Sequence, residues 1–231
     1  MPALKRVGHK GADHVAPGNT RESFEAALEH GVDMIEFDVL RGRDGRLVLA
    51  HDYADSERRE CLTLEQGLEL FAGEAYAGVE LDVDLKLPGY EREVVDGLAR
   101  HGLSERSLVS SMYPESLDRL GELEPALRRG WSVPRVQRNY LKAPLYVRLP
   151  VYAVALYMRA RLPRQAAARL RAGGCEAIMA HQILVSGRLV RAVHAAGGQV
   201  YVWTVDDAPK IRALEALGVD GVITNDPRLF G

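Results

Sequence analysis

The chain has 231 residues, 47% of them hydrophobic, with 30 Lys or Arg against 32 Asp or Glu, a length and balance that fit one large globular domain. A formal net charge of −2 gives no general attraction for a polyanion, so nucleic acid is not an expected partner. The opening MPALKRVGHKGAD lacks an apolar signal core, no stretch approaches the ~20 apolar residues of a membrane span, and the distant Cys61 and Cys175 fit reduced structural thiols, so a soluble cytoplasmic protein is expected.

Short apolar runs alternate with helical patterns along the whole chain. A first strand near 4–8 ends in GHKG, and TRESFEAALEHG follows as a helix capped by Thr20, with Glu22 close behind and Gly31 to stop it. A strand over 33–39 leads through a hairpin to His51 and Asp52. Beyond it the pattern gives a helix over 63–72, a strand over 78–87, a helix over 90–101, a strand over 107–111 and a helix over 114–121. Strands over 126–131, 175–179, 199–205 and 219–223 then alternate with helices over 149–172, 187–196 and 207–217. Eight strands joined by crossover helices predict an α/β fold, a single-domain (β/α)8 TIM barrel; an open doubly wound sheet is the competitor and usually has fewer strands.

Residues two apart on a strand share a face. Ile35, Phe37 and Val39 would therefore pack outward against helices, while Met34, Glu36 and Asp38 point into the barrel. The strand over 78–87 repeats the pattern, with Glu80, Asp82, Asp84 and Lys86 on one face and Val79, Leu81, Val83, Leu85 and Leu87 on the other. Buried carboxylates cost several kcal/mol unless a cation, a lysine or solvent compensates them. His9 and Lys10, Glu36 and Asp38, His51, and Asp84 and Lys86 would all gather at the rim where barrel enzymes place their chemistry. Carboxylate ligands suit a hard divalent cation, Mg²⁺ or Ca²⁺, beside an anionic substrate. His30, His101 and His194 fall on helices and read as structural, whereas His14 and His181 lie on loops bordering the mouth; Asn19, Asp52 and Asp206 read as supporting partners.

These motifs resemble the glycerophosphodiester phosphodiesterase family, whose barrels open with His-Arg-Gly and a Pro-Glu-Asn-Thr turn, where this chain has GHKGADHVAPGNT. The family continues with Gly-x-Asp-x-Ile-Glu-x-Asp-Val, Asp-Gly and His-Asp, matched by GVDMIEFDV, RDG and HD. Near the end it has Val-x-Val-Trp-Thr-Val and Gly-Val-Asp-Gly-Ile-x-Thr-x-x-Pro, matched by VYVWTVDD and GVDGVITNDP. The resemblance implies that His9 and His51 are an acid–base pair, that Glu36, Asp38 and Asp84 bind the metal, and that Lys10, Lys86 and Trp203 meet the substrate. Lys10 stands where the family has Arg, Asp84 where it has Glu, and Gly18 where it has the Glu of the turn. The implied reaction is metal-dependent hydrolysis of glycerophosphodiesters to glycerol 3-phosphate and an alcohol. A lysophospholipase D acting on single-chain lipids, and a barrel that binds phosphate esters without turnover, are the alternatives.

Residues 128–171 hold eleven Lys or Arg and no Asp or Glu, which leaves the rest of the chain at 19 basic against 32 acidic, or −13. Trp131, Tyr140, Tyr146, Tyr152 and Tyr157 interleave with these charges, and residues 149–158 form an apolar run. This insertion, around 131–165, reads as an interfacial segment able to rest on an anionic membrane, placing the protein in the cytoplasm or at the inner membrane surface. The plainer alternative is a barrel helix whose arginines pair with acidic neighbours.

Overall fold

The computed structural model describes residues 3–135 and 145–231, with 145–153 described by their helical backbone alone. Eight parallel strands form the ring: β1 (Lys5–Gly8), β2 (Met34–Arg41), β4 (Glu80–Leu85), β5 (Ser107–Ser111), β6 (Arg128–Val133), β7 (Ala177–His181), β8 (Gln199–Trp203) and β9 (Gly221–Thr224). The order β1-β9-β8-β7-β6-β5-β4-β2 closes because β1 also pairs with β2. Closure removes every edge from the parallel sheet and gives the expected (β/α)8 barrel. A ninth strand, β3 (Leu47–Leu49), turns back antiparallel on the end of β2 and carries the chain to His51.

Helices α1 (Arg21–Glu29), α3 (Leu64–Ala72), α4 (Glu91–Arg100), α5 (Pro114–Leu123), α6 (Leu145–Arg171), α7 (Gly187–His194) and α8 (Ala208–Leu217) join the strands, and a short α2 (Tyr53–Arg58) follows β3. Thr20 caps α1 as expected, Glu22 lies in its first turn, and Ser23 returns the reciprocal bond to the capping backbone N–H. Thr63 and Gln66 build the same box on α3. His101 bonds Glu65 at 2.9 Å and His194 bonds Asp220 at 2.8 Å, the structural roles their helical positions imply.

Alternation along β2 sorts its side chains as the pattern predicts. Ile35, Phe37 and Val39 join the layer between sheet and helices, whereas Met34 packs inside the ring with Val7, Leu108, Met179, Tyr201 and Ile223. Phe71 of α3 lies 4.8 Å from the Phe24 ring of α1 and 4.9 Å from the Phe37 ring of β2, so one side chain ties two helices to the strand that carries Glu36 and Asp38. Glu80 opens β4 at the opposite end of the barrel, where it pairs with Lys5 and, at 2.5 Å, with Arg128. That ion cluster closes the lower end and takes Glu80 out of the mouth.

Helix α6 starts at Leu145 rather than 149 and runs 27 residues, about 40 Å at the usual rise. Leu162, Ala166, Ala167 and Leu170 are buried against the barrel, while Val154, Leu156 and Tyr157 are exposed. A crossover helix runs opposite to its strands, so the exposed half lies toward the rim where the strands end. Of the span 131–165, residues 131–133 are strand and 162–165 belong to the barrel-packed half of α6. Tyr140 and residues 136–144 lie outside the described residues, as do the side chains of Tyr146, Arg148 and Tyr152. Three of the basic residues pair inward as in the plainer reading: Arg128 with Glu80, Arg129 with Glu176 and Arg169 with Asp118. No helix among the described residues is long and apolar enough to cross a membrane.

Because Phe71 is completely buried between three other rings, Phe71→Ala is expected to cost about 3–5 kcal/mol of stability. The check is a lowered midpoint in urea unfolding at unchanged slope.

Candidate active site

The strand register brings the acids together. Asp38 stands opposite Asp84 and Glu36 opposite Asp82 across the parallel pair β2 and β4, all facing the barrel interior. One oxygen each from Glu36, Asp38 and Asp84 lies within 4.8 Å of the others, and all three residues are buried. Lys86, just past the end of β4, places its ammonium against Asp38 and 2.5 Å from Asp84. Burial works against the Lys86 charge, but Asp38, Asp84 and Glu36 hold its pKa well above the usual lysine value. Burial also disfavours an ionised Asp38, yet Lys86, His51 and His9 together hold that carboxyl well below the ordinary carboxylate range. Glu36 is pushed up instead, by burial and then by the Asp38 charge. One carboxylate of the cluster thus takes most of the lysine's charge, leaving the next short of compensation.

The turn after β1 fixes the other side of the cluster. Lys10 adopts a left-handed backbone, φ +51°, which aims its N–H at Glu36 Oε2 over 2.7 Å. Its ammonium turns to Asp13 at 2.6 Å. Asp13 also accepts the Gly18 N–H at 2.8 Å, and a Cβ at position 18 would fall 2.6 Å from that same carboxylate oxygen. Glycine at 18 is therefore what admits Asp13, an acid the sequence pattern did not mark. Asn19, fully buried, donates to Asp38 Oδ2 at 2.8 Å and accepts the Asp38 N–H at 3.0 Å. This pair of bonds leaves Asp38 Oδ1 directed at Lys86.

His9 is held at Nδ1 and left without a hydrogen bond at Nε2 among the described residues. Nδ1 is 2.5 Å from Asn225 Oδ1, and Nε2 faces Glu36 Oε2 across 3.9 Å. Burial, and next the Lys10 charge, push its pKa down to about 4, so the ring is neutral at neutral pH. Asn225 in turn bonds Asp206 at 2.7 Å. Sequence reasoning marked Asp206 but missed Asn225; the Thr-x-x-Pro match carried no signal for it.

His51 comes from the loop after β3, its backbone N–H donated to Asp55 and its Nδ1 3.3 Å from Asp52. Its side chain is 52% exposed, which puts it at the opening rather than the floor. Trp203 donates its indole N–H to the Met179 carbonyl at 2.7 Å and meets His181 edge to face at 5.0 Å. A cavity of about 140 Å³ has His9, Glu36, His51, Asp84, Lys86 and Trp203 in its walls. Lys10 and Asp38 stand behind that wall, held by Asp13 and Asn19. Asp82 lies deeper in the same cavity, its pKa pushed up to about 8, chiefly by burial, and its Oδ1 without a hydrogen-bond partner among the described residues.

Asp84 Oδ1 is likewise buried without a hydrogen-bond partner among the described residues. An unpaired oxygen within an all-carboxylate trio is the donor set that fits a hard divalent cation.

The chain matches the model of the glycerophosphoryl diester phosphodiesterase family over residues 9–85 and 63–229. It is 26% identical to a glycerophosphodiester phosphodiesterase of Caldanaerobacter subterraneus, with 96% of this chain and 93% of that protein covered. Its fold is similar to that of a putative glycerophosphoryl diester phosphodiesterase from Silicibacter pomeroyi, at TM-score 0.77 and 21% identity over 99% of this chain and 92% of that one. A phosphodiesterase from Oleispira antarctica, in complex with the product sn-glycerol-3-phosphate, superimposes at TM-score 0.72 and 23% identity, covering 97% of this chain and 94% of that one. With the family model matching nearly the whole chain, and the barrel and the acidic trio beside it, the chain belongs to the glycerophosphoryl diester phosphodiesterase family and is a phosphoric diester hydrolase.

Proposed function

We propose that the protein hydrolyses glycerophosphodiesters to glycerol 3-phosphate and an alcohol, with His9 and His51 as the proton-transfer pair and Glu36, Asp38 and Asp84 as the cation ligands. The observation that carries this reading is the clustering of three carboxylate oxygens within 4.8 Å of one another, two of the residues, Glu36 and Asp84, lining a cavity walled by both imidazoles. The product complex of the Oleispira neighbour supports glycerol phosphate as the retained half of the substrate.

A phosphodiester resists attack because its own anionic oxygens repel nucleophiles. Glu36, Asp38 and Asp84 would hold a divalent cation, Mg²⁺ or Ca²⁺, whose charge would offset this repulsion. Lys86 faces the same cavity with a permanent ammonium and neutralises a further phosphate oxygen. Lys10 is tied to Asp13 and acts mainly through its backbone N–H, which holds Glu36 in place. His9, neutral and fixed at Nδ1, presents Nε2 to the buried side of the cavity. His51, half exposed at the opening, is placed to exchange protons with solvent and with the departing alcohol. Trp203 offers a flat apolar wall to the glycerol carbons, its ring pinned by the bond to Met179.

A second reading, hydrolysis of lysophospholipids at a membrane surface, is favoured by one feature beside the mouth. An apolar cavity of about 280 Å³, lined by Trp131, Val133, Met158 and Leu162, shares Met112 and Ser132 with the catalytic cavity. Val154, Leu156 and Tyr157 are exposed above it on α6, beside Arg159 and Arg161. Apolar residues flanked by arginines are the composition that rests on anionic lipid.

Purified protein given a glycerophosphodiester and Mg²⁺ or Ca²⁺ is expected to release glycerol 3-phosphate. Chelation with EDTA should abolish release, and His9→Ala should lower kcat by roughly 10²–10⁴. Activity that survives both treatments sinks the scheme.

For the second reading, sedimentation with phosphatidylserine vesicles but not with neutral ones is expected, and Leu156→Glu should weaken it. In a chain-length series, kcat/KM should rise with acyl length if the apolar cavity receives the chain, and stay flat if the substrate is the water-soluble diester.

A further inference from the structure

We infer that Asp206 and Asn225 are positioning residues that lock His9 into the tautomer with its proton on Nδ1, leaving the Nε2 lone pair turned toward the carboxylate cluster. The inference rests on the reading of His9 as a proton-transfer residue. It assigns work to two side chains from the far end of the chain, one after β8 and one after β9, that do not themselves line the cavity.

The hydrogen-bond inventory leaves one solution. An ionised carboxylate only accepts. Asp206 Oδ1 takes the Asn225 backbone N–H at 2.8 Å and the Thr224 hydroxyl at 3.0 Å, and its Oδ2 takes the Asn225 side-chain amide at 2.7 Å. The amide must therefore turn its NH2 to Asp206 and its oxygen to His9. That oxygen lies 2.5 Å from His9 Nδ1. An amide oxygen also only accepts, so Nδ1 must hold the ring proton. In the neutral ring Nε2 is then the free base, 3.9 Å from Glu36 Oε2. The backbone reinforces the placement, for the His9 N–H is donated to the Thr224 carbonyl at 2.8 Å, binding the ends of β1 and β9 together next to the ring. A histidine in this state can accept a proton at Nε2 from an attacking hydroxyl or water but cannot give one from that atom until it has done so. The geometry thus assigns His9 the accepting half of the pair and leaves the donating half to His51.

The test exchanges amide and carboxylate. In Asp206→Asn the new oxygen keeps the Asn225 backbone N–H, so its NH2 faces the Asn225 side chain, which turns over and offers its own NH2 to His9. The ring then carries its proton on Nε2. Long-range proton–nitrogen correlation spectra of the 15N-histidine-labelled protein read the tautomer directly. We expect Nδ1–H in the wild type, Nε2–H in Asp206→Asn with kcat down roughly 10- to 100-fold at unchanged KM, and return of both tautomer and rate in the double variant Asp206→Asn/Asn225→Asp. In that double variant a carboxylate again accepts from His9 while an amide donates from position 206. An Nε2–H ring in the wild type, or one tautomer common to wild type and Asp206→Asn, overturns the inference, as does an inverted tautomer at full kcat. Full activity in His9→Ala would instead remove the reading of His9 itself, whatever the spectra show.

Discussion

Mutual repulsion among buried carboxylates at the mouth of the barrel is the constraint around which the rest of the molecule is arranged. Glu36, Asp38 and Asp84 sit within a few ångströms of one another, with Asp82 one step deeper on the same strand. Charges so close and so buried persist only when something positive or hydrogen-bonded lies against each of them. Lys86 answers for Asp38 and Asp84, Asn19 for the other oxygen of Asp38, and the Lys10 backbone for Glu36. The left-handed turn at Lys10, the glycine at 18 and the buried Asn19 all follow from bringing these donors to the acids. What the protein itself supplies falls short of full compensation, as the raised Glu36 and the unpaired Asp84 oxygen show. A hard divalent cation is the kind of group that would make up that difference.

Much of this was legible in the residue pattern, because a strand's period of two assigns faces with no further information. The alternation Met34-Ile35-Glu36-Phe37-Asp38-Val39 placed the acids inside and the aromatic layer outside, and the barrel has them so. Depth along the barrel axis was not legible. Glu80 shares a face with Asp82 and Asp84 yet pairs at the other end with Lys5 and Arg128, partners distant in sequence that only the closed ring brings near. The supports of His9 were hidden for the same reason, since Asn225 meets it only where β9 returns beside β1. Asp13 escaped notice because its position depends on the missing side chain of Gly18.

The basic character of residues 128–171 resolves into two parts among the described residues. Arg128, Arg129 and Arg169 are spent within the barrel on Glu80, Glu176 and Asp118. Arg159 and Arg161 lie on the outer half of α6 with Leu156 and Tyr157, on the side of the molecule where the strands end. A helix about three times as long as its neighbours thus serves the scaffold with one half and flanks the entrance with the other.

The ion cluster of Lys5, Glu80 and Arg128 at the lower end, and the layer of Val7, Met34, Leu108 and Tyr201 above it, leave the vessel with a sealed base. Among the described residues, reagents and products therefore share a single doorway, and neither half of a cleaved diester can drain away through the barrel axis.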